Sequence, residues 1–323
     1  MSLFAAIDIG SNTIRLLIVN VMDNRINHVL YERRITRLAE GVNQCGNLRP
    51  ENIEASLLVL RDFCSLIQRK GVKTVRAIAT SALREAKNAN IFIEKVRIDT
   101  GISIEVISGE KEAELTMKGV LFSFSNSSFM SSPSLIFDIG GGSTEWILCR
   151  GMHPVGMGSI PIGVVKLHER FIKSDPVSGA DVSEMEREIL AQLEIIKEKI
   201  GHHIIEETIF IGTAGTFTAL AAVDLKLENY DREKIHLHKI PLNRLNDMRK
   251  RLFALSLEER KRVKGLEPGR ADLIIPGIQF TINTMEFFKF EELIVSEYGL
   301  LEGVLLGAIQ EKNEKGIPET LKP

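Results

Sequence analysis

Three short segments of glycine and hydroxyl-bearing residues interrupt apolar runs of the chain. They are Gly10-Ser11-Asn12-Thr13, Gly140-Gly141-Gly142-Ser143-Thr144 and Gly212-Thr213-Ala214-Gly215-Thr216. Small residues let the backbone come close to a ligand, and clustered amide N–H groups form a concavity that suits an anion. The third segment opens an apolar, helix-like run from Phe217 to Val223, which adds the positive end of a helix dipole. The first two are each headed by Asp-Ile, at Asp8-Ile9 and Asp138-Ile139. A carboxylate beside a phosphate is repulsive unless a divalent cation sits between them. The chemistry to expect is therefore Mg²⁺ acting on a polyanionic phosphate substrate. One glycine turn is commonplace; three, two of them with the same acidic head, form a pattern.

Better-known nucleotide and catalytic motifs fail when tested. Gly158-Ser159-Ile160-Pro161-Ile162-Gly163 begins like a P-loop, but Val164 and Val165 stand where Lys and Ser/Thr belong. Gly156-Met157-Gly158 lacks the third glycine of a dinucleotide fingerprint, since Pro161 occupies that place. There is no Gly-x-Ser-x-Gly nucleophile elbow. His202-His203 and His236-x-His238 have no acid or Cys at metal-ligand spacing and read as surface residues. Acids at Glu110, Glu112 and Glu114 open a helix, where the helix dipole alone favours them.

The elements that must position these loops follow from length and periodicity. At 323 residues the chain exceeds one minimal domain, and about 150 residues per domain suggests two. Apolar residues make up 44% and charged residues 26%, the balance of an ordinary globular protein. A net charge of -2 leaves no basic field, which argues against nucleic acid as partner. Cys45, Cys64 and Cys149 are odd in number and widely spaced. They suit neither a disulfide framework nor a zinc site, and they fit a reducing, cytoplasmic compartment. No apolar stretch reaches the ~18–20 residues of a membrane span, so no membrane partner is expected.

Residues 4–9 and 14–21 read as a hairpin, and 135–148 repeats the same unit. Two copies of one supersecondary unit imply a duplicated architecture. Pro50 sits at the first position of a helix whose stripe is Ile53, Leu57, Leu60, Cys64 and Ile67. A strand at 72–79, a helix from Ser81, a strand at 102–107 and a helix at 110–122 follow. Ser183-Glu184-Met185-Glu186 has a capping-box pattern at the head of a long helix, as does Ser256-Leu257-Glu258-Glu259 at a later one. The Ser-rich stretch 123–134 reads as a linker. This gives domains at 1–125 and 126–311, a closing helix near 299–311 that could return to the first, and a tail at 312–323. Alternating strands and helices make the fold α/β.

Five segments in order carry a resemblance. They are Asp8-Ile9-Gly10-Ser11-Asn12-Thr13, Thr80-Ser81-Ala82-Leu83-Arg84, Ile107-Ser108-Gly109-x-x-Glu112-Ala113, Asp138 to Glu145, and Gly212 to Thr216. Together they resemble the exopolyphosphatase and guanosine pentaphosphate phosphohydrolase family, over Phe4 to about Glu311. That family belongs with actin, sugar kinases and heat-shock chaperone ATPases. The resemblance implies two duplicated ribonuclease-H-like domains flanking an active-site cleft. It further implies Mg²⁺-dependent hydrolysis of a terminal phosphoanhydride, and a homodimer. A region that extends long members at the C-terminus has no counterpart before Pro323, so the chain resembles the short form.

Carried onto this sequence, the resemblance makes Glu112 the general base. Lys111 stands where many members have a second Glu, and its ammonium would lower the pKa of Glu112 if the two met. Asp138, with Asp8 or Glu145, would position Mg²⁺. Gly10 to Thr13, Gly140 to Ser143, and Gly212, Thr213, Gly215 and Thr216 would hold phosphoryl oxygens. Arg15 and Arg84 would neutralise developing charge, with Arg270 a further candidate. Arg15 would face with Ile7 or Ile9 if the turn keeps register, and would otherwise make a surface salt bridge. Two other readings use the same loops: an ATP-dependent phosphotransferase of the sugar or acetate kinase type, and a non-catalytic nucleotide sensor. The Glu112 segment favours hydrolysis over both. The residues do not decide between polyphosphate and guanosine pentaphosphate.

Overall fold

The computed structural model describes residues 2–22, 25–124 and 132–313. Most of the Ser-rich stretch and of the expected tail lies outside these residues. The chain divides into two compact units, one formed by 1–125 with 299–323 and the other by 126–298. Each is built on one sheet.

In the first unit β1 (Ser2–Ile9), β2 (Thr13–Met22) and β3 (Arg25–Ile35) form an antiparallel meander. Strands β4 (Thr74–Ala79) and β5 (Ile104–Val106) then add in parallel beside β1, giving the order β3-β2-β1-β4-β5. Side chains alternate across a strand, so β1 feeds two cores. Ala5, Ile7 and Ile9 face the helices Pro50–Arg69 and Ala89–Thr100, through Leu57, Leu60, Phe63, Phe92 and Val96. Phe4 and Ala6 face the helices Gly109–Phe124 and Leu300–Asn313, through Leu115, Leu301, Val304 and Leu305. The closing helix is thus part of the first unit.

The second unit holds β6 (Pro133–Ile139), β7 (Thr144–Arg150), β8 (His153–Ile160), β9 (Ile209–Thr213), β10 (Lys239–Pro241) and β11 (Glu292–Ser296). Their order is β10-β11-β9-β6-β7-β8. From the other end, β8-β7-β6-β9-β11 repeats β3-β2-β1-β4-β5, with three antiparallel strands followed by two parallel ones. The duplication expected from the repeated Asp-Ile-Gly heads is present as two α/β sheets of one topology. Leu135, Phe137, Ile139, Trp146 and Leu148 point into a core with Met185, Ile189 and Leu193 of the helix Gly179–Ile200. Among the described residues no helix is long and apolar enough to cross a membrane.

One local expectation differs and one holds. The long helix of the second unit starts at Gly179 rather than near Ser183, because Ser178 caps it by accepting the Asp181 amide. The later capping box is as read, with Ser256 and Glu259 bonding reciprocally.

Candidate active site

Both acidic strand ends are built alike. Asp8 and Asp138 are the penultimate residues of β1 and β6. Each strand then turns through four residues closed by one bond, Gly10 N–H to Thr13 O and Gly140 N–H to Ser143 O, both 3.0 Å. Ile9 then pairs with Ile14, and Ile139 with Thr144. One step back, Asp8 lies opposite Arg15, whereas Asp138 lies opposite Glu145.

In the first copy, Arg15 Nε and Nη2 both donate to Asp8 Oδ2, at 2.8 and 2.6 Å. Arg15 therefore shares the face of Asp8, opposite Ile7 and Ile9, and it makes a part-buried pair rather than a surface bridge. Asp8 Oδ1 and Asn12 Nδ2 are buried with no hydrogen-bond partner. Such a group costs about 1–3 kcal/mol unless something satisfies it. The turn carbonyls are occupied, Asn12 O by the amides of Thr36 and Arg37 and Ser11 O by that of Ala39. The segment carrying those amides went unread in the sequence.

Glu112 lies in the first turn of the Gly109–Phe124 helix, which covers the Phe4 and Ala6 face of β1. Its side chain is 8% exposed and meets Arg84 Nη1 at 3.2 Å. Arg84 comes from the short helix Ser81–Glu85 after β4 and also donates to Ile107 O at 2.8 Å. The cation beside Glu112 is thus Arg84. Lys111 instead pairs with Glu114 at 3.0 Å, since adjacent helical residues do not share a face. Lys118 and Lys111 together hold the Glu114 carboxyl below its usual range.

In the second copy a polar row crosses five strands at one level: Ser159, Glu145, Asp138, Thr213 and Ser296. Asp138 and Glu145 are 5% and 0% exposed. Like charges directly opposite on a sheet destabilise it. Ser159 Oγ donates to Glu145 Oε1 at 2.7 Å, a contact that antiparallel pairing across 14 residues hides from the sequence. Among the described residues no group of three or more His, Cys, Asp or Glu side chains could hold a metal.

The Gly140–Ser143 turn is clamped from behind. Val164 N–H bonds Gly140 O at 3.0 Å and Val165 N–H bonds Gly141 O at 2.9 Å. A Cβ on Gly163 would sit 2.5 Å from those turn atoms, so the close approach requires glycine there. Thr216 Oγ1 donates to Ile139 O at 2.7 Å, and Thr213 Oγ1 to Tyr298 O at 2.9 Å. The hydroxyls of these two candidates donate inside the protein rather than to a ligand. Gly142 and Ser143 are buried in the same turn. Gly212 makes room for the Phe217 ring, and Gly215 for the Arg270 guanidinium, which lies against this third loop. Of the histidines, His238 Nε2 meets Asp224 at 2.7 Å, and His236 Nδ1 accepts the Glu297 amide at 3.4 Å. This pair is half-buried and partnered, a correction to the surface reading.

Duplicated sheets with an acidic strand end beside each glycine turn define the actin-like class of α/β proteins. Within that class the chain belongs to the Ppx/GppA phosphatase family, whose model matches residues 17–312. It is 33% identical over 316 residues to exopolyphosphatase 2 of Mycobacterium tuberculosis, covering 94% of this chain and 97% of the relative. A crystal structure of an exopolyphosphatase from Cytophaga hutchinsonii superposes with a TM-score of 0.87 at 29% identity, covering 96% of this chain and 98% of that one. The Ppx/GppA family member of Aquifex aeolicus gives 0.76 at 32% identity, covering 97% and 99%.

Proposed function

We propose that this protein releases the terminal phosphate of inorganic polyphosphate, of guanosine pentaphosphate, or of both, with Mg²⁺ as cofactor. The observation that carries the reading is the buried pair Asp138 and Glu145, facing each other at the end of a glycine turn. Carboxylate oxygens are the ligands Mg²⁺ prefers, and it is usually held by one or two carboxylates together with substrate phosphates. The pair fits such a cation, whose charge would relieve the repulsion between them. When bound, it would offset the charge of the phosphoryl oxygens.

Glu112 serves as general base. In the step, water oxygen bonds to the terminal phosphorus, and the bond to the bridging oxygen breaks. The water proton passes to a Glu112 carboxylate oxygen, and the shortened chain departs with the bridging oxygen. Arg84 holds the carboxylate by Nη1 and is itself fixed by Ile107 O. The base is therefore oriented before substrate arrives. Each glycine turn, Gly10 to Thr13 and Gly140 to Ser143, offers amides suited to phosphoryl oxygens, and phosphoryl transfer needs chiefly positioning and charge stabilisation. Arg15, matched to Asp8, acts mainly to shape the first turn.

The test is phosphate release with Mg²⁺ from tripolyphosphate, long polyphosphate and guanosine pentaphosphate, with Glu112→Gln as control. Release that vanishes in the variant supports hydrolysis by this base, and the ranking of rates names the substrate. Phosphate transfer from ATP to an added acceptor, without release from the other three, would replace this reading with a kinase.

A further inference from the structure

The segment after β3 folds flat onto the first glycine turn. Thr36 and Arg37 both donate their amides to Asn12 O at 3.0 Å, and Ala39 donates to Ser11 O at 2.9 Å. Arg37 adopts a left-handed backbone, φ 52°, a conformation disfavoured for side chains of its kind. Asn52 Nδ2 holds it there through Arg37 O at 2.9 Å. Strain of this sort persists only where the surroundings fix it, and it concentrates at ligand sites.

The two residues joined by this backbone bond each bury a donor atom that has no acceptor, Asn12 Nδ2 and Thr36 Oγ1. Their residues are 7% and 6% exposed. Donors left in this state call for an acceptor from outside the protein, an anionic oxygen or a water bound to one.

Strand register supplies the charge. Asp8, Arg15 and Arg33 form one row across β1, β2 and β3, so their side chains share a face. Arg34 points to the other face and pairs there with Glu32. Arg33 is half-buried, one strand step of about 4.8 Å beyond Arg15. The acid of the row, Asp8, is already matched by Arg15. Arg37 Nη1 lies 3.8 Å from Glu40, a carboxylate that Arg49 also approaches at 3.6 Å.

We propose that Arg33 and Arg37, with the Asn12 amide and the Thr36 hydroxyl, form a second phosphate subsite. It would bind the part of a linear phosphate chain beyond the group being released. The inference rests on the phosphoanhydride-hydrolase reading and concerns which chains are preferred. Guanidinium forks suit successive phosphoryl groups because each can engage two oxygens at once. A substrate too short to reach this segment gains little from it.

The experiment compares Arg33→Gln, Arg37→Gln and the double variant with wild type on tripolyphosphate and on long-chain polyphosphate. In the double variant kcat/KM for long chains should fall about tenfold or more, mainly through KM, with a several-fold smaller loss on tripolyphosphate. The log–log salt dependence of long-chain KM should flatten by roughly one per arginine removed. Equal losses on both substrates, or no loss on either, would overturn the subsite. Equilibrium binding of long polyphosphate to Glu112→Gln, with and without Arg33→Gln, reads the same subsite without turnover. Wild type that hydrolyses neither substrate would sink the hydrolase reading, while this binding comparison would still decide the subsite. Guanosine pentaphosphate forms a third arm: a loss confined to it would assign the arginines to the nucleotide's phosphates.

Discussion

Glu145 stands opposite Asp138 at the position where the first copy of the hairpin sets Arg15 opposite Asp8. One duplicated frame therefore carries two opposite electrostatic solutions. The first copy neutralises its aspartate internally. The second leaves two buried carboxylates side by side, a cost to the fold that a cation can remove.

Glu145→Gln keeps the Oε1 acceptor used by Ser159 and deletes one charge. Without Mg²⁺ the variant should be more stable than wild type by about 0.2–1 kcal/mol, or about 0.4–4 °C in melting midpoint. Adding Mg²⁺ should raise the wild-type midpoint clearly and the variant's less, since a ligand stabilises only the state it binds. Thermal melts across a Mg²⁺ titration check this. Identical titrations for the two proteins would remove Glu145 from the cation site.

Glu112→Gln should lower kcat by about 10²–10⁴-fold, the usual worth of a positioned general base, with KM little changed. Arg84→Gln should also lower kcat, because it leaves Glu112 buried without the guanidinium that orients it. The double variant should be no worse than Glu112→Gln alone, since Arg84 acts through Glu112 in this respect. Additive losses would show that Arg84 contacts the substrate independently.

What could be read from the sequence was what repeats locally. The two hairpins showed because each places an Asp-Ile-Gly head directly between two apolar runs that are neighbours in sequence. Pro50 and the stripe from Ile53 to Ile67 likewise place a helix without any tertiary knowledge. Strand β3 was missed because it is an edge strand carrying Asn27, His28, Glu32, Arg33 and Arg34, which blurs its alternation. The partner of Glu112 was not legible, because sequence neighbours on a helix diverge and Arg84, 28 residues away, meets it only in the fold. The clamping roles of the Thr213 and Thr216 hydroxyls depend on carbonyls 85 and 77 residues distant. Loop composition shows where closely spaced backbone amides occur but not which of its donors are already taken.

Asp181 gives a pH signature of stability. Burial works against its charge, but the Ser174 hydroxyl and the amides of Lys173 and Ser174 outweigh that and hold the carboxyl below its ordinary value of 3.8. A carboxyl depressed in the folded state stabilises when ionised. Its contribution is full above the unfolded value and is lost as pH falls through the lower folded one. Asp181→Asn should therefore cost about 1.5–3 kcal/mol at pH 7, for bonds to a charged acceptor. The gap from wild type should stay level down to about pH 5 and narrow below pH 4. Urea midpoints measured from pH 7 to 3 test it, and a gap that widens on acidification would contradict the assignment.

The helix bearing Glu112 is seated by glycines. A Cβ on Gly119 would lie 1.9 Å from Gly299 O, and one on Gly303 would lie 1.9 Å from Leu115 O. Two effects oppose each other in Gly119→Ala. Alanine favours the helix by about 1 kcal/mol, whereas overpacking costs about 1–3 kcal/mol, or more where the obstacle is backbone and cannot rotate away. The clash should win, with a lower urea midpoint in Gly119→Ala and in Gly303→Ala. The double variant should fall short of the sum, because once the helices separate the second Cβ meets a relieved contact. Glu112 lies seven residues from Gly119 on the same helix, so the shift should reach it. Both variants should then lose kcat well below their unfolding midpoints. Full activity in a destabilised Gly119→Ala would mean that Glu112 is held by Arg84 rather than by the seating of its helix.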